Sequence, residues 1–179
     1  VDSEVTALAF ESTTGSLYAG GRFGAAGGVP ASSVARWDGN AWSPLGSGMD
    51  FVGNALAVDA AGTLVAGGEF TTAGGEPARR VAAWNGASWI SLGSDWSGVV
   101  NSLGIDAGGN LIAGGNFSDA PGPVSANRVA RFDGAWSALG QGINPNVPFS
   151  VLEPARSAVR ALAFDAAGNV YAGGSFGSA

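Results

Sequence analysis

The chain of 179 residues carries 46% hydrophobic side chains and 31 glycines, a composition of a folded domain with a substantial core and not of a disordered chain. Eight basic residues, all arginine, stand against fourteen carboxylates, and the net charge of −6 argues against a nucleic-acid partner, which needs a basic surface. The absence of cysteine, histidine and lysine excludes disulfides, thiolate or imidazole metal sites, Ser-His and Cys-His catalytic pairs and Schiff-base chemistry.

The first predicted elements are four short strands. In ALAFE, residues 7–11, small and large apolar residues alternate with the period of two that indicates a strand. LYAGGRF, residues 17–23, is the second predicted strand, and a loop of about ten residues leads to the third, which begins at Val34. Asp38-Gly39 then indicates a tight hairpin into the fourth. No window shows a sustained helical period, so the fold is predicted to be all-β.

The same elements recur with a period of about 47 residues. The glycine-pair segment returns as LVAGGEF, LIAGGNF and VYAGGSF, so that its four copies begin at residues 17, 64, 111 and 170. The first-strand pattern returns as ALAVD, SLGID and ALAFD. We assign repeats to residues 4–51, 52–98 and 99–143, a partial repeat to 158–179, and an insertion to 141–157.

Tandem units of four antiparallel strands at this spacing are typical of the blades of a β-propeller. Because a blade cannot bury both faces alone, we expect blades to stack, with large aromatics at matched positions between them. These aromatics are Trp37, Trp42, Trp84, Trp89, Phe132 and Trp136. The chain supplies about three and a half blades, whereas propellers typically close with four to eight. Further blades are therefore expected from the same chain or from other copies, and we favour an excerpt of a longer chain.

The fuller string AGGxFxxAGG…VARWDGxxWSxLGSG resembles the kelch motif, in which an apolar strand ends in a double glycine followed by an aromatic residue and a nearby tryptophan. It is similar to tandem repeats of secreted or surface-attached bacterial proteins and of a fungal cortical polarity marker. The spacing of the two aromatics departs from the usual kelch pattern, so the term kelch-like fits better. The resemblance implies a β-propeller at the cell surface or outside the cell, used as a binding platform or structural ectodomain.

The glycine pairs are interpreted as architectural. They occur in all four copies, without the lysine of a phosphate-binding P-loop and without a following helix. We expect close backbone approach, or a bulge at the end of the second strand. The calcium-loop pattern is absent as well, and no metal or cofactor is expected.

Candidate interaction residues are sought where the copies differ. The insertion contributes Phe149, Glu153 and Arg156, and the loop before the third strand of the second copy contributes Arg79 and Arg80. For each loop, a variable surface without a ligand stays open as the alternative.

Two further candidates lie in the third copy and just before it. Trp96 is expected to be exposed and to form, with Phe149, a stacking platform for carbohydrate. Asn116 begins the sequon Asn-Phe-Ser and is a predicted glycosylation site.

We expect a non-catalytic structural or protein-interaction module of a secreted or cell-surface protein, with protein or glycan as its partner. The alternatives are a carbohydrate-binding propeller, a subunit of a self-assembling extracellular fibre and, last, a carboxylate-based glycoside hydrolase. The hydrolase ranks last because most carboxylates occupy repeated turn positions. No apolar run approaches the roughly 18 to 20 residues that cross a bilayer, so no membrane span is expected.

Overall fold

The computed structural model describes residues 1–122, 124–143 and 158–176. Over these residues the chain consists of strands and turns without a helix, which confirms the predicted all-β class. No helix long and apolar enough to cross a membrane occurs in this part of the chain. The chain forms two compact units, Val1–Ser94 and Asp95–Ala179.

The first unit contains two four-stranded antiparallel sheets and two small hairpins. Its strands are β1 (Glu4–Glu11), β2 (Ser16–Arg22), β3 (Ala25–Ala26), β4 (Val29–Pro30), β5 (Val34–Trp37), β6 (Trp42–Pro44), β7 (Gly53–Val58), β8 (Leu64–Gly68), β9 (Thr72–Ala73), β10 (Glu76–Pro77), β11 (Val81–Trp84) and β12 (Trp89–Ser91). Sheet 1 has the order β1-β2-β5-β6 and sheet 2 the order β7-β8-β11-β12, while β3-β4 and β9-β10 form the hairpins.

The second unit repeats this organisation. Its strands are β13 (Val100–Ile105), β14 (Leu111–Gly115), β15 (Asp119–Ala120), β16 (Val124–Ser125), β17 (Val129–Phe132), β18 (Trp136–Ala138), β19 (Ala158–Phe164) and β20 (Val170–Ser175). Sheet 3 has the order β13-β14-β17-β18, β15-β16 is a hairpin, and β19 and β20 pair as sheet 4. All the pairings are antiparallel.

The glycine pairs mark a bulge, as predicted, but the bulge lies on the first strand. In sheet 1 the register shifts between Val5 and Ala7, opposite the glycine pair. A Cβ added at Gly21 would overlap the carbonyl oxygen of Glu4. The second glycine of the other three pairs meets a carbonyl oxygen at or just before the start of its sheet's first strand in the same way: Gly68 meets Val52, Gly115 meets Val99 and Gly174 meets Ala158. The pair therefore allows the bulged strand to approach the second strand.

The loop before the third strand is more ordered than predicted. It contains a hairpin of two-residue strands, and its turn in sheet 1 uses Gly27 and Gly28, with φ of 59° and 82°. The tryptophan of the fourth strand covers this hairpin, since an added Cβ at Gly27 would lie 3.1 Å from Cδ1 of Trp42. Such short strands carry no periodicity, so the sequence pattern did not show them.

Aspartates close the turns between the first and second strands, as predicted. Oδ1 of Asp106 accepts hydrogen bonds from the backbone N–H of Gly108 at 2.8 Å and of Asn110 at 2.9 Å. Asp59 and Asp165 hold the matching turns in the same way. Each turn includes a glycine with φ between 82° and 87°, at Gly62, Gly109 and Gly168.

The core of each unit lies between two sheets. In the first unit, Leu56, Leu64 and Ala66 of sheet 2 share one buried cluster with Tyr18 and Val34 of sheet 1. In the second unit, Ile112 and Val129 of sheet 3 form a cluster with Val159 of sheet 4, against which further residues of β19 and β20 pack. Face-to-face packing of sheets is therefore one source of hydrophobic stabilisation in both units, beside the smaller cluster that Trp42 covers on the other face of sheet 1.

Candidate functional site

The predicted site residues of the insertion, Phe149, Glu153 and Arg156, lie outside the described residues. Their role as interaction residues stays a prediction. The other predicted residues, Trp96, Arg79, Arg80 and Asn116, are all described.

Trp96 is buried, and the prediction that it is exposed is wrong. Only 3% of the residue is accessible, and its ring makes edge-to-face contacts with Phe117 and Trp136 at centroid distances of 4.7 and 4.6 Å. An indole ring is stabilised by such apolar and aromatic packing, so it fills the core and offers no platform for a sugar.

A signal in the sequence could have shown this burial. Trp96 stands four residues after Leu92, as Met49 stands four after Leu45 and Ile143 four after Leu139. All three of the later residues are buried. Trp96 therefore occupies a core position common to three copies of the pattern.

The neighbouring arginines have different environments. Arg79 is exposed, whereas Arg80 is half-buried and its guanidinium Nη1 donates to the carbonyl oxygen of Glu69. Arg80 has a left-handed backbone with φ of 70°, as do Ser33 and Arg128 at the matching positions with 63° and 73°. The carbonyl oxygen of each accepts a hydrogen bond from the second glycine of a pair. The backbone of Arg80 thus positions the loop, and Arg79 presents the accessible side chain.

Asn116 is exposed, as a glycosylation site requires. Its Oδ1 accepts a hydrogen bond from the backbone N–H of Val99 at 2.6 Å. Ser118, the third residue of the sequon, is also exposed. Modification of Asn116 stays a prediction.

The first unit has an open pocket of about 290 Å³ next to the residues that follow the glycine pair of β2. Arg22 and Phe51 form one side, with the guanidinium carbon 5.9 Å from the ring centroid, and Asp2 and Asp50 contribute carboxylates. Oδ1 of Asp50 accepts hydrogen bonds from the backbone N–H groups of Thr71 and Thr72 at 2.8 and 2.9 Å.

The carboxylates of this pocket have structural partners. Burial raises the pKa of Asp50, but the hydrogen bonds from Thr71 and Thr72 outweigh it and hold that pKa below its ordinary value. Asp2 caps the matching loop of sheet 1 by accepting from Gly24 N–H at 3.0 Å, and Ser97 does the same in the second unit. Since a serine can replace the aspartate, the position serves the loop. Among the described residues no group of three potential metal ligands is assembled.

The most exposed apolar surface of the first unit is one face of β1. Val5, Leu8 and Phe10 lie on this face, which we call the Phe10 face, and Leu8 and Phe10 are 61% and 63% exposed. The same residue types occur in β19 as Val159, Leu162 and Phe164, where they pack in the core of the second unit. In sheet 2, the residue that matches Leu8 is Leu56, which is 8% exposed.

Sheet 4 has an open face made of small residues and one tyrosine. Ala161, Ala163, Tyr171 and Gly173 lie on this face, which we call the Tyr171 face, and all four are exposed. Tyr171 is 56% exposed, whereas Tyr18, its match in sheet 1, is 5% exposed and buried against sheet 2.

No protein-family model matches the chain, and no curated protein sequence is significantly similar to it.

Proposed function

We propose that the four sheets are blades of a kelch-like β-propeller, about three and a half of them in this chain, and that the chain is a non-catalytic structural or protein-interaction module of a secreted or cell-surface protein. The observation that carries the proposal is the Phe10 face, because the matching residues of sheets 2 and 4 are packed against the neighbouring sheet of their own unit. An apolar sheet face left open to water favours a protein partner.

The propeller assignment is supported by packing that recurs in both units. The first glycine of a pair faces a leucine of the next sheet, since an added Cβ at Gly20 would lie 3.2 Å from Leu56 Cδ1 and one at Gly114 would lie 3.4 Å from Leu162 Cδ1. Stacking of similar antiparallel sheets through one recurring contact is the way in which blades associate.

A non-catalytic role is supported by what the carboxylates do. Asp38, Asp59, Asp106 and Asp165 accept backbone hydrogen bonds at hairpins and turns, and Asp2 and Asp50 cap loops. Glu11 accepts a hydrogen bond from the hydroxyl of Tyr18 at 3.0 Å. These carboxylates are used to hold the fold, whereas a glycosidase needs a pair aimed at a substrate cleft.

Location at the surface or outside the cell is supported by the kelch-like resemblance and by the exposed sequon at Asn116. Antibodies raised against the chain, applied to intact cells of its source, test this. We expect labelling without permeabilisation, and labelling that requires permeabilisation would overturn the location.

Carbohydrate binding is the second candidate, and the pocket beside Phe51 favours it. Phe51 is exposed and is bordered by Arg22, Asp2 and Asp50, which is an arrangement that suits an apolar sugar face with hydroxyls around it. Saturable binding on a glycan array, lost in Phe51→Ala and kept in the matched surface variant Ile90→Ala, would establish this candidate. Absence of binding to every glycan would remove it.

A further inference from the structure

We propose that Asn85 is a chemical modification site, at which the hairpin between β11 and β12 promotes conversion of the asparagine to aspartate through a cyclic imide. The proposal goes beyond the proposed function and does not depend on how the sheets are arranged. Of the asparagines in the chain, Asn85 is the one that is followed by a glycine, Gly86. Asn85, Gly86, Ala87 and Ser88 are all exposed, so water reaches the whole turn.

The side-chain amide of Asn85 is held with its carbonyl group polarised. Its Oδ1 accepts hydrogen bonds from the backbone N–H of Ala87 at 2.9 Å and of Ser88 at 2.8 Å. Two backbone donors at such distances from one oxygen form the arrangement that stabilises an oxyanion in acyl transfer. Nδ2, the nitrogen that has to leave, makes a longer hydrogen bond, of 3.4 Å to Ser88 Oγ. The hairpin therefore favours attack on Cγ of Asn85.

The backbone nitrogen of Gly86 is the nucleophile. In the part of the chain that the structure describes, its N–H donates to no other group, so no hydrogen bond has to break before the proton is lost. A Cβ added at Gly86 would meet no atom within 4 Å apart from its chain neighbours, so a base from solvent reaches this N–H. The φ of 95° favours glycine at this position, and the missing side chain leaves the nitrogen accessible.

The reaction is an intramolecular acyl transfer followed by hydrolysis. The nitrogen of Gly86 loses its proton to hydroxide and bonds to Cγ of Asn85, and the electron pair of the carbonyl moves onto Oδ1. When the carbonyl forms again, the bond between Cγ and Nδ2 breaks, and Nδ2 takes a proton from water and leaves as ammonia. Water then opens the imide, at Cγ to give aspartate or at the backbone carbonyl to give isoaspartate. The sum is asparagine and water converted to aspartate or isoaspartate and ammonia.

The hairpin of sheet 1 shows that an aspartate fits this turn. Asp38, which matches Asn85, accepts through Oδ1 from the backbone N–H of Asn40 and of Ala41, both at 2.8 Å. The glycine that follows Asp38 has φ of 98°, against 95° in sheet 2. The hydrogen bonds from Ala41 and Asn40 lower the pKa of Asp38 below its ordinary value, so they are bonds to an ionised carboxylate. Conversion at position 85 thus gives the hairpin that sheet 1 already has.

Isoaspartate does not fit the same turn, because it adds a methylene group to the main chain. The backbone N–H of Asn85 donates to the carbonyl oxygen of Ser88 at 3.1 Å, and Trp84 pairs with Trp89 on either side of the turn. A longer main chain shifts this register. Of the two products, aspartate is therefore the one that keeps the hairpin.

Peptide mapping by mass spectrometry, after incubation of the folded chain at mildly alkaline pH, measures the conversion. We expect Asn85 to change its mass from that of the amide to that of the acid before any other asparagine does. The rate is expected to rise with pH, because the nitrogen of Gly86 has to lose its proton. Conversion at Asn85 that is no faster than at the other asparagines would overturn the proposal.

Two variants place an asparagine before a glycine in the other hairpins and separate the effect of the turn from that of the dipeptide. Asp38→Asn reproduces the hydrogen bonds of Asn85 and is expected to convert at a similar rate. Asp133 is also exposed and precedes a glycine with φ of 110°, but its side chain accepts no hydrogen bond among the described residues. We expect Asp133→Asn to convert several-fold more slowly. A rate in Asp133→Asn equal to that at Asn85 would overturn the role of the hairpin.

Asn85→Asp carries the main product from the start. In urea unfolding at neutral pH we expect it to be at least as stable as the parent, because the carboxylate keeps both backbone hydrogen bonds and strengthens them by its charge. A variant that is clearly less stable than the parent would overturn the conclusion that the turn accommodates aspartate.

Discussion

Gly104 lies directly beneath the ring of Phe164, so that a Cβ at Gly104 would overlap Cε2 of the phenylalanine. The two residues join sheets 3 and 4 within the second unit. The matching residues of the first unit are Ala9 and Val58, a pair in which the smaller valine leaves room for a methyl group. A larger side chain at one of the two positions is therefore matched by a smaller residue at the other.

Gly104→Ala is expected to destabilise the chain by about 1 to 3 kcal/mol, because the ring of Phe164 has to leave its position. Urea unfolding measures this loss. Gly104→Ala combined with Phe164→Val recreates the residue pair of the first unit and is expected to recover part of it, so that the two changes are not additive. Strict additivity would show that the two residues do not compete for the same space.

Substitution of Trp89 and of Trp96 measures how much a buried indole hydrogen bond contributes to the free energy of unfolding. Nε1 of Trp89 donates to the carbonyl oxygen of Leu45 at 2.9 Å, whereas Nε1 of Trp96 is buried without a partner among the described residues. Both tryptophans pack against aromatic neighbours. We expect Trp89→Phe to cost about 1 kcal/mol more than Trp96→Phe, because it removes one of the two hydrogen bonds that the Leu45 carbonyl accepts, the other coming from the backbone N–H of Gly48 at 3.2 Å. Equal losses in urea unfolding would contradict this.

The features that the sequence predicted are those with a local pattern of residue types, which the repeats show again. The alternation in ALAFE, the aspartate and glycine turns and the glycine pairs each have a local physical cause, and the structure contains the strands, turns and bulges that they indicate. The two-residue hairpins were missed because strands of that length, such as Ala25–Ala26, have no period to detect.

The candidate site was harder to predict, because exposure depends on which neighbour a strand meets. Phe10 and Phe164 stand in nearly the same sequence, yet Phe10 is open to water and Phe164 packs against sheet 3. The type of residue at Trp96 does not indicate its burial, whereas its matches Met49 and Ile143 are apolar core residues and do. Three of the predicted residues, Phe149, Glu153 and Arg156, lie outside the described residues.

Acid is expected to destabilise the turns that aspartates close. Burial opposes ionisation of Asp106, but hydrogen bonds from Asn110 and Gly108 outweigh it and lower the pKa of this carboxyl. In Asp165, hydrogen bonds from the side chain and backbone of Asn169 lower the pKa. Since the unfolded pKa of aspartate is about 3.9, the stabilisation is complete above that pH and is lost as pH falls through the lower folded value.

Thermal unfolding between pH 7 and pH 2.5 measures this linkage. The parent is expected to lose stability as the pH falls below about 4, and Asp106→Asn, which does not titrate there, is expected to lose less of it over the same interval. Identical pH profiles of the parent and Asp106→Asn would contradict the assigned role of Asp106.

Replacement of the second glycine of a pair is expected to destabilise the chain, because the backbone of the bulged strand lies directly against that glycine. Gly21→Ala places a methyl group on the carbonyl oxygen of Glu4, which belongs to the backbone and cannot rotate away. We expect a loss of about 2 to 3 kcal/mol in urea unfolding. Gly24→Ala is the control, because its added Cβ would have only Oδ2 of Asp2 nearby, at 3.6 Å. The bulge would not be the reason for the glycine pair if Gly21→Ala proved as mild as Gly24→Ala.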